Sequence, residues 1–210
     1  MLPKGTIGKV FDYYYLNSTY ESEVMRAFRE FFERPDLEKG GFLNLHPTSE
    51  GLFNEWFLYD FLLANGKTPF ANFIRKNPLD FSPSKMKLYK DILKSNVYGI
   101  YEVVSIDVGY GLKVNNLQTN KEVFVHENKL THQVKIGDCF FARVAFVDSH
   151  YEFIGADTFV LNFSDKDKKI LHRGIENTKI TPQFVNKVVT DKQVHQEWEG
   201  IIRDTIKRNE

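Results

Sequence analysis

The sequence predicts an α+β protein: a helical N-terminal part, a small five-stranded antiparallel barrel and a helical tail. Three observations carry that expectation. Apolar residues recur at helical spacing up to about Leu93; from Val97 to about Leu161 the spacing drops to two and the residues become β-branched and aromatic; beyond Thr181 an apolar stripe at helical spacing returns. The implied boundaries are 1–96 for the helical subdomain, 97–162 for the barrel, and 163–210 for a polar link and the tail.

Each helix has a local reason. Ser18 and Glu21 stand in the pattern of a capping box ahead of an apolar stripe at Val24, Phe28, Phe31 and Phe32, which Pro35 ends. The next helix follows His46-Pro47-Thr48-Ser49. It carries Leu52, Phe53, Trp56, Phe57, Phe61 and Leu62 as far as Asn65-Gly66, a pair suited to a left-handed C-terminal cap. Its apolar face is wide, which makes it the expected central helix. Thr68-Pro69 puts a capping hydroxyl before a proline at the first helical position, and that helix, with Phe70, Phe73 and Ile74, must stop near Asn77-Pro78. Ser82-Pro83 repeats the device for a helix through Met86, Tyr89, Ile92 and Leu93.

Five strands are expected, at 97–106, 110–117, 121–126, 138–148 and 151–161. Gly109 and Gly111 punctuate the first turn, Asn115-Asn116 through Asn120 the second, and Asp148-Ser149-His150 makes the last hairpin tight. Glu127 to Gly137 is a longer connection. Five short strands with the long link after the third is the chain order of a Greek-key barrel of the OB type, and a bent SH3-like sheet has a similar pattern. Alternation puts Val123 and Val125 on one face of the third strand and Phe124 with His126 on the other. With the valines inward, Phe124 and His126 become a surface aromatic patch.

After Phe163 the run Asp165-Lys166-Asp167-Lys168-Lys169 is a polar link leading to Ile170-Leu171. Thr181-Pro182 starts the tail, with Val185, Val188 and Val189 followed by Val194, Trp198, Ile201, Ile202 and Ile206. A solvated tail has no need of such a stripe, so it is expected to dock on its own chain or on a partner, Trp198 and Ile202 being the expected contacts.

Composition narrows the function. Of 210 residues 42% are hydrophobic and 27% charged, the balance of a soluble globular protein. Twenty-eight basic and 28 acidic side chains cancel, so no global field gathers nucleic acid or an anionic membrane. Within 97–162 there are five basic residues (Lys113, Lys121, Lys129, Lys135, Arg143) against eight acidic ones, which makes the barrel the acidic part. A single cysteine, Cys139, leaves no intrachain disulfide or Cys-rich zinc site. With no signal-peptide pattern at Met1-Leu2-Pro3-Lys4 and no window of about 18 apolar residues, the expected address is the cytoplasm, away from membrane.

The residue constellations offer little chemistry. His46, His126, His132, His150, His172 and His195 include no helical pair flanking a glutamate, so no metal or other cofactor is expected. Cys139, beside Phe140 and Phe141, reads as core volume and not as a nucleophile. Gly109-Tyr110-Gly111 lacks the following helix of a phosphate loop. Asp60, among Trp56, Phe57, Phe61 and Leu62, is the one acid that invites a site role, because an acid on a core-facing helix needs a partner or exposure.

Two resemblances bear on this. Tyr98 to Asp157 resembles the small RNA-binding barrel of the OB superfamily found in ribosomal and ribonuclease proteins. The likeness lies in Gly99, Ile106-Asp107-Val108-Gly109, Phe124-Val125-His126, Gly137-Asp138 and Asp148. It implies an RNA-stacking face built from an aromatic pair around the first turn, a histidine of the third strand and a basic residue in the last hairpin. His126 matches the histidine; Val108 and Gly111 stand at the aromatic positions and Glu152 near the basic one. A broader stretch, Phe53-Asn54-Glu55-Trp56-Phe57-Leu58-Tyr59-Asp60, Gly66-Lys67-Thr68-Pro69 and Val97-Tyr98-Gly99-Ile100-Tyr101-Glu102-Val103, is similar to a bacterial family of unknown activity. Some members of that family carry a Cys-rich zinc motif like that ending the protein-translocation ATPase; this chain lacks it. The resemblance implies a shared helical-plus-barrel body and no catalytic residue.

The leading expectation is a non-catalytic binding protein whose barrel engages single-stranded RNA or DNA through Tyr110, Phe124, His126 and Arg143. The alternative is a protein–protein adaptor, or a self-associating chain, that uses the aromatic helices and the Trp198 stripe with the barrel as scaffold. An enzyme of unidentified class is the third, which a buried, unpaired Asp60 beside a cleft would favour.

Overall fold

The computed structural model describes residues 7–36, 47–155, 159–161 and 180–190. The chain divides into two units, Met1–Lys94 and Ser95–Glu210.

The first unit is helical: α1 (Gly8–Tyr15), a 3-10 turn (Ser18–Tyr20), α2 (Glu21–Phe32), α3 (Pro47–Tyr59), α4 (Pro69–Lys76) and α5 (Pro83–Ser95). No start signal in the sequence marks α1, whose N-cap, Ile7, offers no side-chain cap. Burial of Val10 and Tyr14 makes it helical instead. Nor does Ser18 cap α2 as expected: Asn17 accepts the N–H of Thr19 and organises the 3-10 turn that leads in. The proline-led starts hold. Thr68 Oγ1 accepts the N–H of Ala71 at 3.2 Å and Asn77, in the left-handed region, ends α4.

The core of this unit is a block of phenyl rings. Phe28 stacks on Phe53 at 3.9 Å, Phe31 meets Phe53 edge-on at 5.5 Å, and Phe53 continues through Phe57 to Phe61 along α3 and the turn after it. That turn replaces the last part of the expected helix, which ends at Tyr59 and not at Asn65-Gly66. The cause is tertiary. From α2, the Arg26 guanidinium lies 4.2 Å over the Phe61 ring and donates to the Leu62 carbonyl, while Glu23 accepts the N–H of Ala64 at 2.7 Å. These bonds satisfy backbone groups that further helix would have used. Beneath them the Tyr14 hydroxyl, fully buried, donates to the Pro69 carbonyl at 2.8 Å and accepts from Asn72 Nδ2 at 3.0 Å.

The second unit holds β1 (Val97–Asp107), β2 (Gly111–Asn116), β3 (Lys121–His126), a 3-10 turn (Leu130–His132), β4 (Cys139–Val147), β5 (His150–Phe153), β6 (Phe159–Leu161) and α6 (Pro182–Thr190). Five strands close into a ring in the order β1-β2-β3-β5-β4 and back to β1. The fully antiparallel barrel expected from the sequence is corrected here: β3 and β5 run parallel, through Val125 and Tyr151. Geometry requires it, since directions cannot alternate all the way around a ring with an odd number of strands.

β1 makes closure possible. Its first half, Val97 to Glu102, pairs with β4 and its second half, Tyr101 to Asp107, with β2. A register shift between Val103 and Ser105 re-phases the strand, so that Tyr101 and Val103 before it and Ile106 after it all pack toward the core. The expected fifth strand, 151–161, is two. Phe153 and Phe159 are six positions apart while their β4 partners, Val144 and Phe141, are three apart, so the ladder must break. Leu112, Val114, Val125, Phe140, Ala142 and Val144 fill the interior, and Leu130 of the 3-10 turn enters it from the long connection. Burial pushes the Tyr101 phenol up to about 12. α6 begins behind Thr181-Pro182 as expected, with Val185 buried. The polar link, Ile170-Leu171 and the tail beyond Thr190 lie outside the described residues. Among the described residues no helix is long and apolar enough to cross a membrane.

Candidate functional site

The outward face of β2 and β3 carries a cluster of rings that the fold does not need for its core. Val125 points inward and is fully buried, which turns Phe124 and His126 outward. Tyr110 is 56% exposed and Phe124 37%. Their rings lie 5.8 Å apart; His126 is 4.8 Å from Tyr110 and 5.6 Å, edge-on, from Phe124. A fourth ring, His150, lies 4.4 Å from His126. It is the first residue of β5, brought beside the end of β3 by the parallel pairing.

Gly111 is the floor of this cluster. It pairs with His126 across the ladder, and a Cβ there would come within 2.5 Å of the Val125 carbonyl oxygen and 2.7 Å of the Phe124 ring. The Phe124 ring therefore lies on the glycine backbone, in space that any other residue would fill. Tyr110 is held from the other side. Gly109, at φ +80°, donates its N–H to Thr131 Oγ1 at 2.9 Å, and Asn128 Nδ2 donates to the Gly109 carbonyl at 2.7 Å. The turn that presents Tyr110 is thus pinned to the segment after β3.

The charge at this face is low. Lys113, opposite Phe124, pairs with Glu122 at 2.5 Å. Glu152, buried, bonds His150 Nε2 through Oε1 at 2.7 Å. The surface thus offers flat apolar rings and two imidazoles, one of them oriented by a carboxylate.

Of the residues singled out in the sequence, Tyr110, Phe124 and His126 come together here. Arg143 does not. It is 3% exposed, lies 5.3 Å over the Tyr98 ring and donates from Nη1 to Asn96 Oδ1 at 2.8 Å. Alternation does turn it away from the barrel core, but β4 is buried on both faces, so outward here is not toward solvent. Asp60 sits half-buried just past the end of α3, its N–H bonded to the Trp56 carbonyl. Trp198 and Ile202 lie outside the described residues. The rings of α2 and α3, which an adaptor would present, face inward: Phe28, Phe31, Phe53, Trp56 and Phe57 are all buried. Among the described residues no three His, Cys, Asp or Glu side chains converge as a metal centre requires.

Sequence reasoning missed His150 and the role of Gly111. The closing order would have found the first, because a ring of five strands in this connectivity must set the start of β5 against the end of β3. No family model, no curated protein and no solved structure matches the chain.

Proposed function

We propose that the barrel is a binding module of the OB type and that the face formed by Tyr110, Phe124, His126 and His150 stacks the bases of single-stranded RNA or DNA. The observation that carries this reading is position. Tyr110 stands in the β1–β2 turn, Phe124 and His126 on β3 and His150 at the β4–β5 hairpin, the region OB barrels use for oligonucleotides and oligosaccharides. The ring order β1-β2-β3-β5-β4, with the long connection after β3, supports the OB reading over a bent SH3-like sheet.

Stacking on an aromatic side chain is worth about 1–3 kcal/mol per base and tolerates any sequence, because every base has a π-face. The barrel's excess of acids and the Lys113–Glu122 pair leave little counterion release to add to it. The binding expected is therefore weak to moderate, sequence-tolerant and shallow in its dependence on salt. Short labelled single-stranded oligonucleotides titrated against the full chain at two salt concentrations test it. Binding at low salt that Phe124→Ala weakens about tenfold supports the reading, by the stacking figure for one base. No detectable binding at low salt ends it.

A further inference from the structure

We infer that His126 and His150 are the phosphate-contacting half of this face, so that its hold on a single-stranded polyanion is switched on by protonation. The inference rests on the nucleic-acid reading above and adds which groups meet the backbone and under what condition.

The charged neighbours lead to it. On β2, Lys113 is matched by Glu122 of β3. Lys121 stands at the far end of β3, opposite Asn116. Just beyond His126 the Glu127 carboxylate is turned onto the N–H groups of Lys129 and Leu130, at 2.7 and 3.2 Å. Asp107 closes β1 before the Tyr110 turn, and Asp148 lies in the hairpin turn before His150. On β5, Glu152 holds His150 Nε2. The fixed charges on the strands that carry the rings are thus acids, a lysine already paired with one, and a lysine at the wrong end.

Imidazole is the side chain that ordinarily changes charge between about pH 5 and 8. Glu152 engages Nε2 of His150, so Nδ1 is the nitrogen assigned to phosphate. Once protonated, His150 forms an ion pair with Glu152, and His126, 4.4 Å away ring to ring, supplies a further positive charge, the one carboxylate of its own strand, Glu122, being matched by Lys113. A phosphate lying across both rings also relieves the repulsion between two imidazolium ions. At higher pH both rings act through stacking alone.

The test uses a rhodamine-labelled oligothymidylate, whose bases do not titrate in this window, bound to the full chain at about pH 5.5 and 8 and at two salt concentrations. His126→Phe and His150→Phe keep a ring and remove the proton; circular dichroism at both pH values checks that each variant is folded, and His126→Gln gives the loss of ring and charge together. Affinity should rise about tenfold on acidification, with the salt slope steeper by about 0.7 for each imidazolium that meets a phosphate. His126→Phe should remove most of that rise and keep the affinity seen at pH 8. Binding that does not change with pH, or a rise that survives in both Phe variants, overturns the inference and leaves the stacking reading in place. No binding at any pH overturns both.

Discussion

The two units of this chain use aromatic side chains in opposite ways. In the helical unit Phe28, Phe31, Phe53 and Phe57 turn inward, and hardly any of their surface reaches water. On the barrel, Tyr110, Phe124, His126 and His150 are assembled with similar ring spacings on an outward face. The interior rings are explained by the fold itself, since burying one contributes on the order of 2–3 kcal/mol. The outer rings earn no such return, yet Gly111 is kept bare to seat one of them and two hydrogen bonds fix the turn that presents another. That arrangement is what the proposed stacking face requires.

The sharpest way to break this contrast is to truncate one ring of each kind. Phe53→Ala should cost about 3–5 kcal/mol in urea denaturation, because it opens a cavity among six ring neighbours. Phe124→Ala and Tyr110→Ala should each change stability by no more than about 0.5–1 kcal/mol while lowering oligonucleotide affinity. Equal losses of stability at the two sites would mean that the barrel rings are ordinary structure.

Gly111→Ala probes the seat directly. Its Cβ meets a backbone carbonyl that cannot swing aside, so a loss of about 1–3 kcal/mol is expected, along with displacement of the Phe124 ring. A thermal melt and the aromatic NMR shifts of Phe124 would check both parts.

Alkali tests the barrel interior through its stability. The Tyr101 hydroxyl donates to the Val97 carbonyl and its phenol is pushed up to about 12 by burial. The folded state therefore keeps this proton after the unfolded chain has begun to lose its own near about pH 10. The stabilisation is complete below that pH and is lost as pH rises toward the folded value, at a slope of about 1.4 kcal/mol per pH unit. Tyr101→Phe should flatten the decline above about pH 10.

Much of this was legible from residue order. Thr68-Pro69 and Ser82-Pro83 mark true helix starts because both signals act within one turn of the chain. The switch from helical to alternating spacing falls at Val97, where β1 begins. Val125 inward with Phe124 and His126 outward follows from alternation once one face is buried. Other features were hidden because their causes are distant in sequence. α3 stops at Tyr59 because Glu23 and Arg26, on another helix, take up the backbone of the following turn. Arg143 is buried because both faces of its strand are covered, which no pattern within β4 reveals.

Sequence alone, then, determined where the proline-led helices begin, which segment is all strand, and which side of β3 bears the rings, since each of these depends on neighbours within a few residues. Only the tertiary structure decided that the barrel closes, that closure forces β5 parallel to β3, and that His150 and Glu152 thereby join Tyr110, Phe124 and His126 while Arg143 is withdrawn. The physical reason is that a local pattern fixes the direction of a side chain relative to its own strand, whereas its neighbours and its access to water are fixed by how the strands pair around the ring.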